Sequence, residues 1–201
     1  MSGKLLNPNH PKKGASIKVE PIRDLKAIKR IKKLLEDSPR DLCLFTVGIN
    51  TAYRANELVS LKVGQVDYLK AGDRFDLKQS KTSSYRAVTL NPLVIQTIDK
   101  WLSKHPDPKP NAPLFRSQRT GDALTVSVVS QMVKRWCGNA GLHGNYASHT
   151  MRKTWGYHQR KTHGQAVSLL TRAYGHASEE VTLNYLGIQP EEIEHLYAME
   201  L

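Results

Sequence analysis

Two segments in the second half of the chain combine residue types that can act on a phosphate. His149 and Arg152 stand three residues apart in ASHTMRKTWGY, a spacing that puts both on one face of a helix. Tyr185 follows His176 by nine residues in RAYGHASEEVTLNYLGI. An arginine fork matches two phosphate oxygens, a histidine can carry a proton, and a tyrosine hydroxyl can bond covalently to phosphorus. A histidine and an arginine at this spacing also occur on ordinary basic helices, so the surrounding frame has to decide.

That frame resembles the catalytic domain of the tyrosine recombinase (phage integrase) family. Members carry an arginine in a motif like GLRxxELxxLxxxDV, a lysine on a hairpin, and then the motifs HxxR and GHxxxxxTxxxYxH. The chain has matching residues in that order, starting in TAYRANELVSLKVGQV, and the resemblance runs from about residue 20 to residue 190. The candidate catalytic residues are Arg54, Lys81, His149, Arg152, His176 and Tyr185.

Not every position of the motifs matches. Glu57 and Thr182 agree with the family frame, whereas Tyr53 and Tyr174 stand where the family usually has Leu, and Thr150 stands where Asp is common. The three departures fall on positions that pack around the site. They therefore bear on partner and substrate preference more than on the reaction itself.

The resemblance assigns the two arginines to a scissile phosphate. In-line attack on a phosphodiester concentrates negative charge on its non-bridging oxygens, which Arg54 and Arg152 would clamp while His176 donates a further hydrogen bond. A lysine at either arginine position would lose the planar fork. As plainer alternatives, Arg54 could cap a helix C-terminus and His176 could be a hydrogen-bonded core histidine.

By the same resemblance Tyr185 is the nucleophile, because it has the nine-residue offset from the Gly-His pair. A tyrosine has an ordinary pKa of about 10, so it needs a base or a cationic neighbourhood, and His149 is the candidate for that help. The departing 5′ oxygen needs a proton, for which the resemblance implies Lys81, with Lys78 as a competing choice. The other tyrosines considered are Tyr146, Tyr157, Tyr174 and Tyr197.

The implied function is site-specific DNA recombination: integration, excision or inversion through a covalent 3′-phosphotyrosine. Because that bond conserves the energy of the phosphodiester, no metal and no cofactor is expected. The implied partners are double-stranded DNA and further copies of the chain in a tetrameric synapse. Two alternatives stay open, a type IB topoisomerase-like strand transferase and a non-catalytic DNA-binding regulator. Having both His149 and His176 favours the recombinase over the topoisomerase.

The charge agrees with a nucleic-acid partner. Thirty Lys and Arg against 18 Asp and Glu give a formal net charge of +12. Residues 1–40 carry a net charge of +7 and residues 177–201 a net charge of −6, which leaves +11 for residues 41–176. Phosphate contacts are therefore expected from the N-terminal and middle regions, residues 1–176, and the acidic tail is expected against a basic protein surface or folded back on its own domain.

The sequence carries no sign of a membrane or secreted protein. No stretch approaches the roughly 20 apolar residues of a membrane span, and the lysine-bearing N-terminus lacks the apolar core of a secretion signal. We therefore expect a cytoplasmic, nucleoid-associated protein with no membrane partner. Cys43 and Cys137 lack CxxC spacing and lie in apolar surroundings, which favours reduced core thiols over a disulfide or metal site.

The hydrophobic pattern predicts the elements that must position these residues. The fold class is mainly α with a small antiparallel β-sheet (α+β), which the resemblance identifies as the tyrosine recombinase/integrase catalytic-domain fold. A basic flexible arm is expected over residues 1–18 and a catalytic domain over residues 19–201, with an acidic tail from about residue 188. Two strands, 74–77 and 85–90, would form a hairpin with a basic tip. Helices are predicted over residues 22–35, 40–52, 56–61, 92–104, 125–140, 148–160, 165–174, 178–185 and 191–199.

Family members usually have a further DNA-binding domain before the first arginine. Such a domain would need roughly 100 residues more than the roughly 50 that precede Arg54 here. The chain is therefore interpreted either as a catalytic fragment or as a naturally short recombinase.

Overall fold

The computed structural model describes residues 19–78, 85–187 and 197–198, and this part of the chain is mostly helical with one two-stranded antiparallel sheet. The predicted fold class is confirmed. A short 3-10 turn at Val63–Gln65, which the sequence did not predict, precedes the sheet. The elements are α1 (Leu25–Leu34), α2 (Pro39–Thr51), α3 (Ala55–Val59), β1 (Arg74–Lys78), β2 (Tyr85–Thr89), α4 (Pro92–Leu102), α5 (Val126–Asn139), α6 (Ser148–Lys161), α7 (Val167–Tyr174) and α8 (Glu179–Leu186).

Helix α2 lies at the centre of the domain. It is mostly apolar and largely buried, and Cys43, Leu44 and Phe45 are fully inaccessible to solvent. It packs against both α4 and α6, and Phe45 meets Trp136 of α5 edge to face with 5.9 Å between ring centroids. Because α2 is clamped between other helices, its C-terminal end is held in a fixed place beside α6.

Helix α1 begins later than its hydrophobic pattern predicts. The carboxylate of Asp24 accepts hydrogen bonds from two backbone N–H groups of the first turn, so it caps the helix and α1 starts at Leu25. Ile22, predicted to be helical, is buried before the cap and donates its N–H to Thr154 Oγ1 at 2.8 Å. The prediction was wrong at this end because a residue that packs into the core outside a helix gives the same apolar signal as a helical one.

The predicted hairpin is present. Strands β1 and β2 pair in antiparallel register from Arg74 opposite Thr89 to Lys78 opposite Tyr85. Strand β1 extends one residue beyond its predicted end, and β2 stops one residue short of it. The predicted basic tip, including Lys81, lies outside the described residues and stays a prediction.

The described residues test the prediction about the two cysteines but not the predictions about the two ends of the chain. Cys43 and Cys137 are buried free thiols, as predicted. Among the described helices, none has both the length and the apolar character needed to span a bilayer. The predicted arm over residues 1–18 and nearly all of the predicted helix over residues 191–199 lie outside the described part of the chain, so both stay predictions.

Candidate active site

Arg54 lies where α2 ends and α3 begins, as predicted. The chain turns at Ala52, whose left-handed backbone angles (φ 56°, ψ 18°) close α2. Glu57 in the first turn of α3 then accepts hydrogen bonds from the Arg54 backbone N–H at 2.7 Å and from Arg54 Nη1 at 2.9 Å. Because Glu57 is only 2% exposed, this charge-assisted contact fixes the direction of the guanidinium. Arg54 is therefore the N-cap residue of α3 and lies two residues after the C-cap of α2.

Arg152 is held inside the protein by two backbone carbonyls. Its side chain projects from α6 and the residue is 2% exposed. Nη1 donates to the carbonyl of Ala52 and Nη2 donates to the carbonyl of Tyr174 at 2.8 Å. A guanidinium has five N–H donors, and a further hydrogen bond links Arg152 to Tyr185. The side chain thus ties the ends of α2 and α7 together while its guanidinium carbon lies 6.0 Å from the ring centroid of Tyr185.

His149 and Tyr185 meet across α6 and α8. Nδ1 of His149 lies 3.4 Å from the Tyr185 hydroxyl oxygen, and the two ring centroids are 6.5 Å apart. His149 is in the first turn of α6, one turn before Arg152, so the two residues share the face that their spacing predicted. The contact brings an imidazole nitrogen, which can accept a proton, next to the hydroxyl of the predicted nucleophile.

His176 reaches the same place from the turn between α7 and α8. Gly175 ends α7 with left-handed backbone angles (φ 63°, ψ 44°), so His176 follows directly after the helix end. The imidazole Nδ1 of His176 lies 3.0 Å from the hydroxyl of Thr182, a fully buried residue of α8. The ring centroid of His176 is 5.3 Å from that of Tyr185.

The surroundings shift the acidity of Tyr185. Burial raises the pKa of its hydroxyl from the ordinary 10 to about 12, although Arg152, through its charge and a hydrogen bond, and the charge of Arg54 act to lower it. Desolvation outweighs the two cations. Tyr185 is therefore a neutral hydrogen-bonding phenol at neutral pH, and any attack by its oxygen requires that the proton be taken up by a neighbour.

Two further side chains in the site were not assigned to it from the sequence. Tyr174 is fully buried with its ring centroid 5.4 Å from that of Tyr185, and Lys153 holds its Nζ 4.9 Å from the Tyr185 ring centroid. The signal for Tyr174 was its departure from the family residue. Lys153 gave no signal beyond its place next to Arg152.

The structure brings five of the six predicted residues into one site: Arg54, His149, Arg152, His176 and Tyr185. A shallow pocket lined by Arg54, Asn56, Val126 and His149 opens beside it. The sixth residue, Lys81, lies outside the described residues, and so does the choice between it and Lys78, whose backbone ends β1 but whose side chain is not described. Tyr174 is one of the tyrosines considered beside Tyr185 as the nucleophile. Its hydroxyl donates to the backbone carbonyl of Arg152 at 2.9 Å and is thus directed at the backbone of α6.

Comparisons with known proteins agree on one family. A family model described as the phage integrase family matches residues 23–192. The probable integrase/recombinase YoeC of Bacillus subtilis (strain 168) is 31% identical over 175 residues, which cover 86% of this chain and 92% of that protein. Tyrosine recombinase XerC of Proteus mirabilis is 24% identical over 161 residues, covering 80% of this chain but only 51% of XerC.

Solved structures show the same fold. A crystal structure of XerA recombinase matches with a TM-score of 0.73 at 19% identity, covering 89% of this chain and 64% of that one. The XerH site-specific recombinase in a post-cleavage complex with a palindromic difH substrate matches with a TM-score of 0.74 at 23% identity, covering 89% of this chain and 52% of XerH. The chain thus spans nearly all of YoeC but about half the length of XerC and XerH.

Proposed function

This chain belongs to the phage integrase family of tyrosine recombinases, and on that premise we propose that it is a site-specific DNA recombinase that works through a covalent 3′-phosphotyrosine at Tyr185. The observation that carries the proposal is the 3.4 Å approach of the Tyr185 hydroxyl to His149 Nδ1 beside the buried guanidinium of Arg152. A nucleophile, a proton acceptor and a fixed cation at one point are what phosphoryl transfer to a side chain needs.

The proposed cleavage step uses these groups in sequence. The Tyr185 oxygen attacks the scissile phosphorus while its proton passes to His149, and the bond from phosphorus to the 5′ oxygen breaks. The 5′ oxygen leaves with a proton, for which Lys81 is the proposed donor. Rejoining is the reverse: a 5′ hydroxyl attacks the phosphotyrosine and Tyr185 recovers its proton.

The cations would act on the charge that develops at phosphorus. Arg54 and Arg152 each have a direction fixed by a hydrogen-bonded partner, so they need no reorganisation when negative charge grows on the non-bridging oxygens. His176 would donate a further hydrogen bond to the same phosphate.

The remaining proposals concern the partners. Positive charge over residues 1–176 suits duplex DNA, and XerH, a neighbour in fold, was solved with its difH substrate. We further propose that copies of the chain assemble on DNA as a tetrameric synapse, and that they act in the cytoplasm in association with the nucleoid, where their DNA substrate is found.

The test is a covalent trap. The protein is incubated with a pool of nicked duplexes of randomised sequence, in which a short fragment diffuses away after cleavage and prevents rejoining. Adducts are resolved on a denaturing gel and their DNA is sequenced. Wild-type protein is expected to form an adduct enriched in one site, and Tyr185→Phe is expected to bind the same DNA without forming it, because only the attacking oxygen is deleted. Tyr157→Phe is the matched control and should keep the adduct.

Three other outcomes of this experiment would each contradict the proposal and support a different conclusion. An adduct from Tyr185→Phe would mean that another residue is the nucleophile. Binding without any wild-type adduct would favour a non-catalytic DNA-binding regulator. An adduct with no enriched site, together with relaxation of supercoiled plasmid, would favour a topoisomerase-like activity.

A further inference from the structure

Tyr174 contacts two side chains that are proposed to bind the scissile phosphate, Arg152 and His176. Its ring is stacked on the imidazole of His176, with 4.8 Å between centroids and 13° between planes. The guanidinium carbon of Arg152 lies 4.5 Å from the centroid of the same ring. One aromatic side chain therefore contacts both a histidine and an arginine of the proposed site.

Hydrogen bonds add to the ring contacts. The Tyr174 hydroxyl donates to the backbone carbonyl of Arg152 at 2.9 Å, while Arg152 Nη2 donates to the backbone carbonyl of Tyr174 at 2.8 Å. The two residues, one on α6 and one at the end of α7, thus bind each other reciprocally. With the ring buried completely, neither bond competes with solvent.

Helix α6 has a gap in its surface where Tyr174 fits. A side-chain carbon added at Gly156 would overlap the Tyr174 hydroxyl and lie 2.7 Å from Leu186 Cδ2, closer than carbon atoms can approach. Glycine at this point of α6 therefore leaves room for the hydroxyl. The leucine that the family motif usually carries at position 174 has neither a hydroxyl to fill this space nor a ring to stack on His176.

We propose that Tyr174 is a positioning residue that fixes the directions of the Arg152 guanidinium and the His176 imidazole before DNA binds. This inference rests on the proposed function, which assigns those two groups to the scissile phosphate. Tyr174 does not bind the phosphate itself, because its hydroxyl donates to the Arg152 carbonyl and its ring is buried. Preorganisation of this kind accelerates the chemical step more than it tightens the binding of a large polyanion, whose affinity comes from many phosphate contacts.

The kinetic test compares three variants on a duplex selected by the covalent trap. Tyr174→Leu is expected to slow single-turnover adduct formation at saturating DNA by about tenfold to 100-fold, because small misplacements of catalytic groups cost about that much. Its Kd for the duplex is expected to change less than about threefold. Tyr174→Phe keeps the ring and should recover most of the rate. Tyr157→Leu, the same change at a half-buried tyrosine of α6, is the control.

Thermal unfolding first establishes that each variant is folded at the assay temperature, and Tyr174→Met replaces Tyr174→Leu if the latter is not. Wild-type rates in Tyr174→Leu would overturn the proposal. So would an equal loss of rate in Tyr157→Leu, since the effect would then be a general one.

A second readout needs no DNA and separates this inference from the proposed function. A crystal structure of Tyr174→Leu is expected to show the Arg152 guanidinium or the His176 ring displaced by about 1 Å relative to Tyr185, a shift large enough to matter for catalysis. Unmoved side chains would overturn the positioning role. If the wild-type protein forms no adduct on any duplex, the proposed function fails, and the crystal structure still decides whether Tyr174 positions these two groups.

Discussion

Replacing Arg152 by lysine separates what this residue does for the fold from what it does for the reaction. Its guanidinium binds the carbonyls of Ala52 and Tyr174 inside the protein, where the residue is only 2% exposed. Lysine keeps the positive charge, but its single ammonium group cannot reproduce a planar fork that spans two carbonyls and a phosphate. At least one buried carbonyl is then expected to lose its donor.

The size of the effect follows from that loss. A buried polar group without a partner costs about 1–3 kcal/mol of unfolding free energy. In a domain of about this length each kcal/mol lowers Tm by about 2–4 °C, so Tm is expected to fall by about 2–12 °C. Loss of one aligned donor to the developing charge should slow adduct formation by about 10²- to 10³-fold.

Two assays report the two effects separately. Tm is measured by circular dichroism, with the exposed Arg172 of α7 changed to lysine as the matched control. Adduct formation is measured at a temperature where both variants are folded. A carbonyl left without its hydrogen bond predicts a fall in Tm of at least about 2 °C. If Arg152→Lys instead melts within about 1 °C of wild type, the argument from the buried carbonyls is wrong. If Tm falls but the cleavage rate is unchanged, Arg152 does not act on the phosphate.

Three further outcomes are expected. Duplex affinity should fall steeply as salt rises because counterions compete for the phosphates, and a nearly flat dependence in fluorescence anisotropy would contradict the DNA-binding surface. Burial raises the pKa of Tyr185 to about 12 from the 10 it regains on unfolding, so the stability it contributes is full below pH 10 and is lost as pH rises from 10 toward 12. Denaturant unfolding below and above pH 10 should therefore show wild type losing more stability than Tyr185→Phe, and equal losses would refute the burial effect. Deleting residues 188–201, which the family resemblance suggests dock on a neighbouring copy, should reduce assembly and strand exchange on native gels while sparing DNA binding. Unchanged assembly would reject that docking.

The elements of the fold were largely predictable because their signals are local. An apolar residue every three or four positions predicted the helices, and alternation with a polar connection predicted the hairpin. The errors fell at the ends. Ile22 was included in the first helix although it lies before the helix starts, and the start of α1 is set by the Asp24 cap. The 3-10 turn at Val63–Gln65 is too short to leave a periodic signal.

The candidate site was predictable as a set of residue types and an order along the chain. The three-residue spacing placed His149 and Arg152 on one face of α6, and the nine-residue offset singled out Tyr185. Glu57 and Thr182 matched the family motifs in the sequence, but the sequence assigned no role to either residue. In the structure Glu57 accepts a hydrogen bond from Arg54, and Thr182 contacts His176.

What the sequence by itself determined, then, is which residues are available and which of them share a helix. What only the tertiary structure decided is how they are held: the bond from Arg152 to the carbonyl of Ala52, 100 residues away, the stacking of Tyr174 on His176, and the raised pKa of Tyr185. The physical reason is that helix periodicity depends on neighbours within a few positions, whereas burial and a carbonyl's direction depend on how α2, α6 and α7 pack against one another.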